Sequence, residues 1–187
     1  MVSADIVATV GLNAISAIFV LSVVALGLGI IFGFMGVINL THGSFVMLGA
    51  YTVWLIDTNF GLGFWVGFVL APVALAGIGY LVEVFLISFL YDRLIDTLLA
   101  TWGLAMAFRE AVRIVFGRSA KEVSNPFPGG VDLGITVYPK YRLFLIVLSI
   151  AILGGVYLLF YRTNLGVRIR AVIQDPDAAE LLGLNRT

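Results

Sequence analysis

The amino-acid sequence predicts an all-α fold, a polytopic bundle of transmembrane helices with about five spans and a charged helical segment after the last one. Three observations carry this reading. Hydrophobic residues make up 61% of the 187 residues, charged residues only 12%, and mean hydropathy is +1.09, a composition far from that of soluble domains. A soluble chain of this length has no core large enough to hide so much apolar surface, whereas lipid accepts it on the outside of every helix. The apolar residues also fall in stretches of about 20, the length that crosses roughly 30 Å of hydrocarbon at about 1.5 Å per residue. The 11 basic and 11 acidic side chains cancel, so neither nucleic acid nor a strongly acidic surface is implied as a partner.

The longest uncharged stretch lies between Asp5 and Asp57, where only His42 can carry a charge. Its length suits two helices, about Ile6 to Phe32 and Val37 to Ile56. The amino terminus, MVSADIVATV, has no basic flank of the kind a signal peptide needs and reads as the start of a retained span. A third span covers about Phe64 to Leu90, with Glu83 inside it and Pro72 as a kinking residue. The fourth, Leu94 to Phe116, is poorer. Asp96, Arg109, Glu110 and Arg113 leave it a short apolar interior, so other helices must shield it. The fifth, Arg142 to Tyr161, is uninterrupted. Arg162, Arg168, Arg170 and Arg186 then place the amphipathic segment 162–187 in the cytoplasm. By alternation, YDRLID is also cytoplasmic and the long loop from Gly117 to Lys140 faces outward, although it carries Arg118, Lys121 and Lys140 against the usual trend. Five crossings leave the amino terminus outside. Gly29 and Gly33, like Gly63 and Gly67, are spaced for close helix packing, which assigns them no substrate role.

The stretch VINLTHGSF, Val37 to Phe45, holds the single histidine and a cluster of uncharged polar residues in apolar surroundings. Gly36 and Asn39 are residues that end helices, and Thr41 or Ser44 can cap a new one beginning near Phe45, so the helix breaks here. At the membrane surface such a break is an ordinary polar turn. Inside the bilayer its freed N–H and C=O groups must face a protein cavity, which makes it part of a solute path. Periodicity leaves both readings open.

Enzymatic readings find no support in the residues. Cysteine is absent and one histidine is too few for a metal site. Lys121 and Lys140 follow Ala120 and Pro139, so no phosphate-cradling Gly-Lys-Ser/Thr loop exists and the chain is not expected to hydrolyse ATP. No Gly-x-Ser-x-Gly elbow occurs, and Ser44 is too near His42 in sequence to be its natural partner. No catalytic residue and no cofactor are expected. Glu83 is a candidate for function or for structural pairing, since charge inside a span is costly. Arg109 and Arg113 share a helix face and read as side chains that reach the outer headgroups.

Three ordered motifs carry a resemblance. Gly36, Ile38, Asn39, His42, Gly43, Met47, Leu48, Gly49, Ala50 and Tyr51 match the signature of permease subunits of ABC importers for branched-chain amino acids and urea. DTLLATWGLAMAF, Asp96 to Phe108, resembles the fourth-span motif of the urea-type members more than that of the leucine-type ones. RTNLGVRIRAVIQDPDAAELLGLN, Arg162 to Asn185, is similar to the cytoplasmic segment that meets the ATPase. Two positions depart from the family pattern: Glu83 is followed by Val84 rather than arginine, and Arg109 and Glu110 stand where urea-type members tend to have two glutamines.

The resemblance implies a multi-pass permease subunit of the bacterial plasma (inner) membrane that moves branched-chain amino acids or urea by alternating access. Its partners would be a second permease subunit, two cytoplasmic ATPase subunits, an extracytoplasmic solute-binding protein and membrane lipid. Asn39, Thr41, His42, Gly43 and Ser44 would line the substrate path, their donors and acceptors suiting an uncharged amide or a zwitterion. Asp177, Ala178, Ala179 and Gly183 would form the ATPase coupling motif, with Asp177 in place of the usual glutamate; a plain interfacial amphipathic helix is the alternative. Residues 1–187 then read as the N-terminal portion of one longer permease domain, truncated at the C-terminus, with 162–187 as its coupling segment. The rival functions are a passive channel or facilitator for urea-like solutes, which needs no coupling helix, and a purely structural membrane subunit.

Overall fold

The computed structural model describes residues 4–91, 93–134 and 136–174. In chain order the elements are α1 (Ala4–Met35), α2 (His42–Thr58), α3 (Phe64–Phe85), a single 3₁₀ turn (Ile87–Phe89), α4 (Leu94–Phe116), β1 (Gly130–Asp132), β2 (Val137–Pro139), α5 (Lys140–Arg162) and α6 (Asn164–Gln174). They group into two compact units, residues 1–34 with 128–187, and residues 35–127.

The architecture is the helical membrane bundle that the composition requires. Among the described residues, three helical stretches are long and apolar enough to cross a membrane: Asp5–Gly33 in α1, Phe64–Phe89 through α3 and the following turn, and Lys140–Arg162 in α5. The other two expected spans differ from these. The helix expected from Val37 starts five residues later, at His42, and the 17 residues of α2 reach only about 25 Å. The 23 residues of α4 are long enough but include Asp96, Arg109, Glu110 and Arg113. A small antiparallel hairpin, β1 and β2, is an addition to the all-helical expectation.

That hairpin exists because of what it sits on. Three-residue strands have little stability of their own. Tyr138, opposite Val131 in the pairing, is fully buried, and its hydroxyl donates to the Leu12 carbonyl of α1 at 2.9 Å. The Thr9 and Thr136 hydroxyls meet at 2.9 Å, and the Arg142 guanidinium donates to the Asn13 side-chain oxygen. The hairpin is thus a clamp between the first turns of α5 and the N-terminal part of α1. At the other end of α5, Thr163 caps α6: its hydroxyl oxygen accepts the Gly166 N–H at 3.1 Å. A side-chain carbon at Gly166 would overlap the Phe160 and Leu159 carbonyl oxygens, so only glycine allows this sharp junction.

In the second unit, α2 and α3 pack as a close antiparallel pair. A side-chain carbon at Gly67 would lie 3.0 Å from the Val53 Cα, and one at Gly49 would lie 3.0 Å from the Leu75 Cδ1. Gly67 therefore serves the close approach its spacing suggests. Gly63 instead starts α3 with φ +81°, and carbons built at Gly29 or Gly33 meet nothing within 4 Å among the described residues. The segment after α4 returns over one end of this pair. Ser124 donates both its N–H (2.9 Å) and its hydroxyl (2.7 Å) to the Asp57 carboxylate, Lys121 lies 5.1 Å over the Trp54 ring, and Phe127 meets the edge of Trp65 at 5.6 Å.

Gly67→Val is expected to destabilise the α2–α3 pair by about 1–3 kcal/mol, because backbone rather than a mobile side chain meets the new atoms. Unfolding midpoints in detergent, compared with those of a Gly29→Ala control that stays near wild type, check this. The two Ser124 hydrogen bonds, side chain then backbone, hold the Asp57 carboxyl below the usual carboxylate range. A carboxyl lowered by folding stabilises above its unfolded pKa and loses that contribution as pH falls through its folded value. Protection of the Ser124 amide from hydrogen exchange should therefore be constant near neutrality, decline only below the ordinary carboxylate range, and be lost at all pH values in Asp57→Ala.

Candidate functional site

The break between α1 and α2 is built by glycine and by one helix beside it. Gly36 takes φ +64°, a left-handed conformation that ends α1 at no steric cost to glycine. Residues 36–39 are then non-helical, Leu40 and Thr41 form a turn, and α2 starts at His42. The Asn39 side-chain oxygen accepts the Thr41 N–H at 2.9 Å, and the Asn39 carbonyl accepts the His42 N–H at 3.3 Å. This is the local turn that asparagine favours.

Thr101 of α4 satisfies much of what remains. Its hydroxyl oxygen accepts the Leu40 N–H at 3.2 Å, and its single proton is shared between the carbonyls of Leu98 (3.1 Å) and Ile38 (3.4 Å). The Thr41 hydroxyl donates to the Thr101 carbonyl at 2.7 Å, and the Ser44 hydroxyl donates to the Ala105 carbonyl at 3.3 Å. Thr41 and Thr101 are 0% exposed. Among the described residues, no buried side-chain nitrogen or oxygen lacks a partner.

This bonding fixes the height of the break along α4. Thr41 pairs with Thr101, Ser44 with Ala105, Phe45 with Phe108 at 5.9 Å, and Tyr51 with Phe116 at 5.1 Å, so α2 and α4 run side by side in the same direction. Thr101 lies seven residues after Leu94, where α4 begins, and the break is therefore level with a point two helical turns, about 10 Å, inside α4.

The five residues expected to line a path separate into two groups. Thr41 and Ser44 are buried, and their hydroxyls go to α4 carbonyls. Thr41 is the N-cap residue of α2, but it gives the helix no side-chain cap, because its hydroxyl is engaged elsewhere. Asn39 and His42 are half-buried and Gly43 is exposed. Of the charged candidates, Glu83 and Arg113 bond away from the break, whereas Arg109 shares the Ala105 carbonyl with Ser44. Tyr91 donates a short hydrogen bond to Glu83 across the 3₁₀ turn, and burial, with Glu83 adding to it, pushes the Tyr91 hydroxyl above its ordinary pKa. Arg109 returns its Nε–H to the Ala105 carbonyl at 3.2 Å, and Arg113 pairs with Glu110 at 3.1 Å. Asp177, Ala178, Ala179 and Gly183 lie outside the described residues, and no group of side chains suited to a metal occurs among those described.

Thr97, Thr101 and Ala105 were not singled out by sequence reasoning. The signal was available: small or hydroxyl residues at spacing four on α4, all buried while Trp102 and Met106 beside them are exposed. Thr101→Val is expected to strand the Leu40 N–H and cost about 1–3 kcal/mol, whereas Thr101→Ser, which keeps the hydroxyl, stays closer to wild type. Unfolding in detergent and hydrogen exchange at Leu40 measure both effects.

Comparison with known proteins assigns this arrangement to a family. The family described as branched-chain amino acid transport system, permease component, matches residues 11–187. The high-affinity branched-chain amino acid transport system permease protein LivM of Escherichia coli is 32% identical over 136 residues, which are 73% of this chain and 28% of that protein. The LivM protein of Salmonella typhimurium is 34% identical over 65% of this chain and 26% of its own length. The permease protein BraD of Pseudomonas aeruginosa is 24% identical over 88% of this chain and 58% of its own length. The chain thus spans only part of the relatives it matches. No solved structure matches it. With nearly its whole length matched, the chain belongs to the family of branched-chain amino acid transport permease components.

Proposed function

We propose that this chain is a transport subunit of an ATP-driven importer in a bacterial inner membrane, and that it forms part of the path for branched-chain amino acids. The family match over residues 11–187 carries the reading. Relatives in three organisms are named for branched-chain amino acid transport. Neither urea as the solute nor a passive channel finds support among them, and the urea-like features of α4 are confined to one motif.

In this reading the break is held by Thr41, Ser44 and Thr101, while Asn39, His42 and Gly43 face the solute. An extended segment flanked by helix ends presents backbone groups and neutral side chains, which suit a zwitterion in passage better than tight binding. His42 contributes hydrogen bonding to this path, and the reading needs no metal or proton relay. Glu83, Arg109 and Arg113, each with a near partner, belong to the scaffold. ATP hydrolysis takes place on two separate cytoplasmic subunits that seat Asp177–Gly183, where Ala178 and Ala179 fit a cleft and Gly183 allows a sharp exit. A second permease subunit and an extracytoplasmic binding protein complete the assembly.

Uptake in cells that supply the partner subunits tests this. Asn39→Leu is expected to lower uptake by about tenfold or more, the worth of one or two lost hydrogen bonds, with ATPase copurification unchanged. His42→Gln should be milder than His42→Leu. Gly183→Trp and Ala179→Arg should leave membrane insertion intact but separate ATP hydrolysis from uptake. Normal uptake in Asn39→Leu and His42→Leu would confine the break to a structural role, and normal uptake in the second pair would remove the coupling assignment.

A further inference from the structure

The segment α6 follows a membrane-crossing helix after a single residue, and its surface is divided in a way the transport reading does not use. Leu165, Ile169, Val172 and Ile173 fall at intervals of four, three and one, which places them on one face. Leu165 is 56% exposed and Ile173 40% exposed, while Ile169 and Val172 are half-buried. On a helical wheel Arg168 borders this face next to Val172, and Arg170 stands beyond its other edge. Arg170 is held there by the Tyr161 ring, which lies 4.8 Å from its guanidinium carbon and is itself stacked on Tyr157 at 4.9 Å. Arg162 ends α5 and is exposed.

From this juxtaposition we infer that α6 lies in the membrane interface as an anchor for anionic lipid, its apolar face at the acyl boundary and Arg162, Arg168 and Arg170 on headgroup phosphates. The junction keeps the helix at that level. Thr163 caps α6 at its third N–H, and Gly166 sits against the Phe160 and Leu159 carbonyls, so α6 cannot continue the axis of α5 away from the bilayer. An amphipathic helix with arginines beside its apolar face binds by buried apolar area plus attraction to anionic headgroups, and the basic residues complement the negative cytoplasmic leaflet. A docking site on a soluble protein would not require the arginines to bracket the apolar face where a span emerges. The inference needs only that α5 crosses the membrane and does not depend on the transported solute.

The absence of cysteine supplies the test. Single cysteines at Ile169 and at Asn164, each carrying an environment-sensitive fluorophore, are compared in the full chain reconstituted in nanodiscs of phosphatidylcholine alone or with phosphatidylglycerol. The Ile169 probe should be blue-shifted, shielded from iodide and quenched by lipid-borne nitroxide when phosphatidylglycerol is present, and the Asn164 probe should not. Arg168→Gln should weaken the interfacial population by about fivefold, as expected for one basic residue at an anionic surface, and adding Arg162→Gln should weaken it further by a similar factor. Because both arginines are exposed, neither change disturbs the Thr163 and Gly166 junction. Free access of iodide to Ile169 in both lipid compositions would overturn the proposal. So would shielding that arises only when ATPase subunits are added, which would make the face a protein-docking surface.

Discussion

A chain that leaves the helix where it is packed against other protein exposes backbone N–H and C=O groups that need partners, and each one buried without a partner costs about 1–3 kcal/mol. Residues 36–41 meet this constraint through one neighbouring helix. Thr101 takes the Leu40 N–H on its hydroxyl oxygen and the Thr41 hydroxyl on its carbonyl, so a single residue of α4 closes both sides of the break. Asn39 handles the turn itself. The polar character of VINLTHGSF is therefore in large part the cost of keeping an irregular backbone buried. Of the five candidate positions, Thr41 and Ser44 serve this backbone from buried places, whereas Asn39 and His42 are half-buried and Gly43 is exposed.

The remainder of the second unit preserves that register. Gly67 and Gly49 bring α3 against α2, aromatic contacts continue the α2–α4 pairing as far as Phe116, and the Asp57–Ser124 clasp ties the far end of α2 to the segment leaving α4. α2 is thereby held near both of its ends. The first unit uses different means. There the hairpin clamp on α1 and the Thr163–Gly166 junction set where α5 begins and ends.

Much of this was legible in the sequence, for physical reasons that also explain the rest. α1, α3 and α5 announce themselves because about 20 apolar residues in a row have few alternatives to a span. The break was visible from Gly36 and Asn39, whose backbone preferences are local. The direction of the Thr41 and Ser44 hydroxyls was not, since their partners lie about 60 residues away on α4 and a side chain's tertiary partner leaves no local mark. The two glycine pairs make the same point: their spacing is identical, yet among the described residues only Gly67 of the four meets a neighbouring helix, because spacing permits an approach without supplying the partner. The hairpin was illegible because its strands depend on Tyr138 reaching Leu12 rather than on strand propensity.

Family membership follows from the match along the chain, and the geometry adds something the match does not contain, namely the level of the break relative to α4. That level is the central claim, and a nitroxide at exposed Gly43 measures it directly in a lipid bilayer by comparing its accessibility to oxygen with that to a water-soluble nickel complex. A break two turns inside α4 places the probe about 10 Å beneath the headgroups, with oxygen access dominant. Access dominated by the nickel complex at headgroup level, unchanged when Thr101 is replaced by valine, would contradict the account and make VINLTHGSF a surface turn.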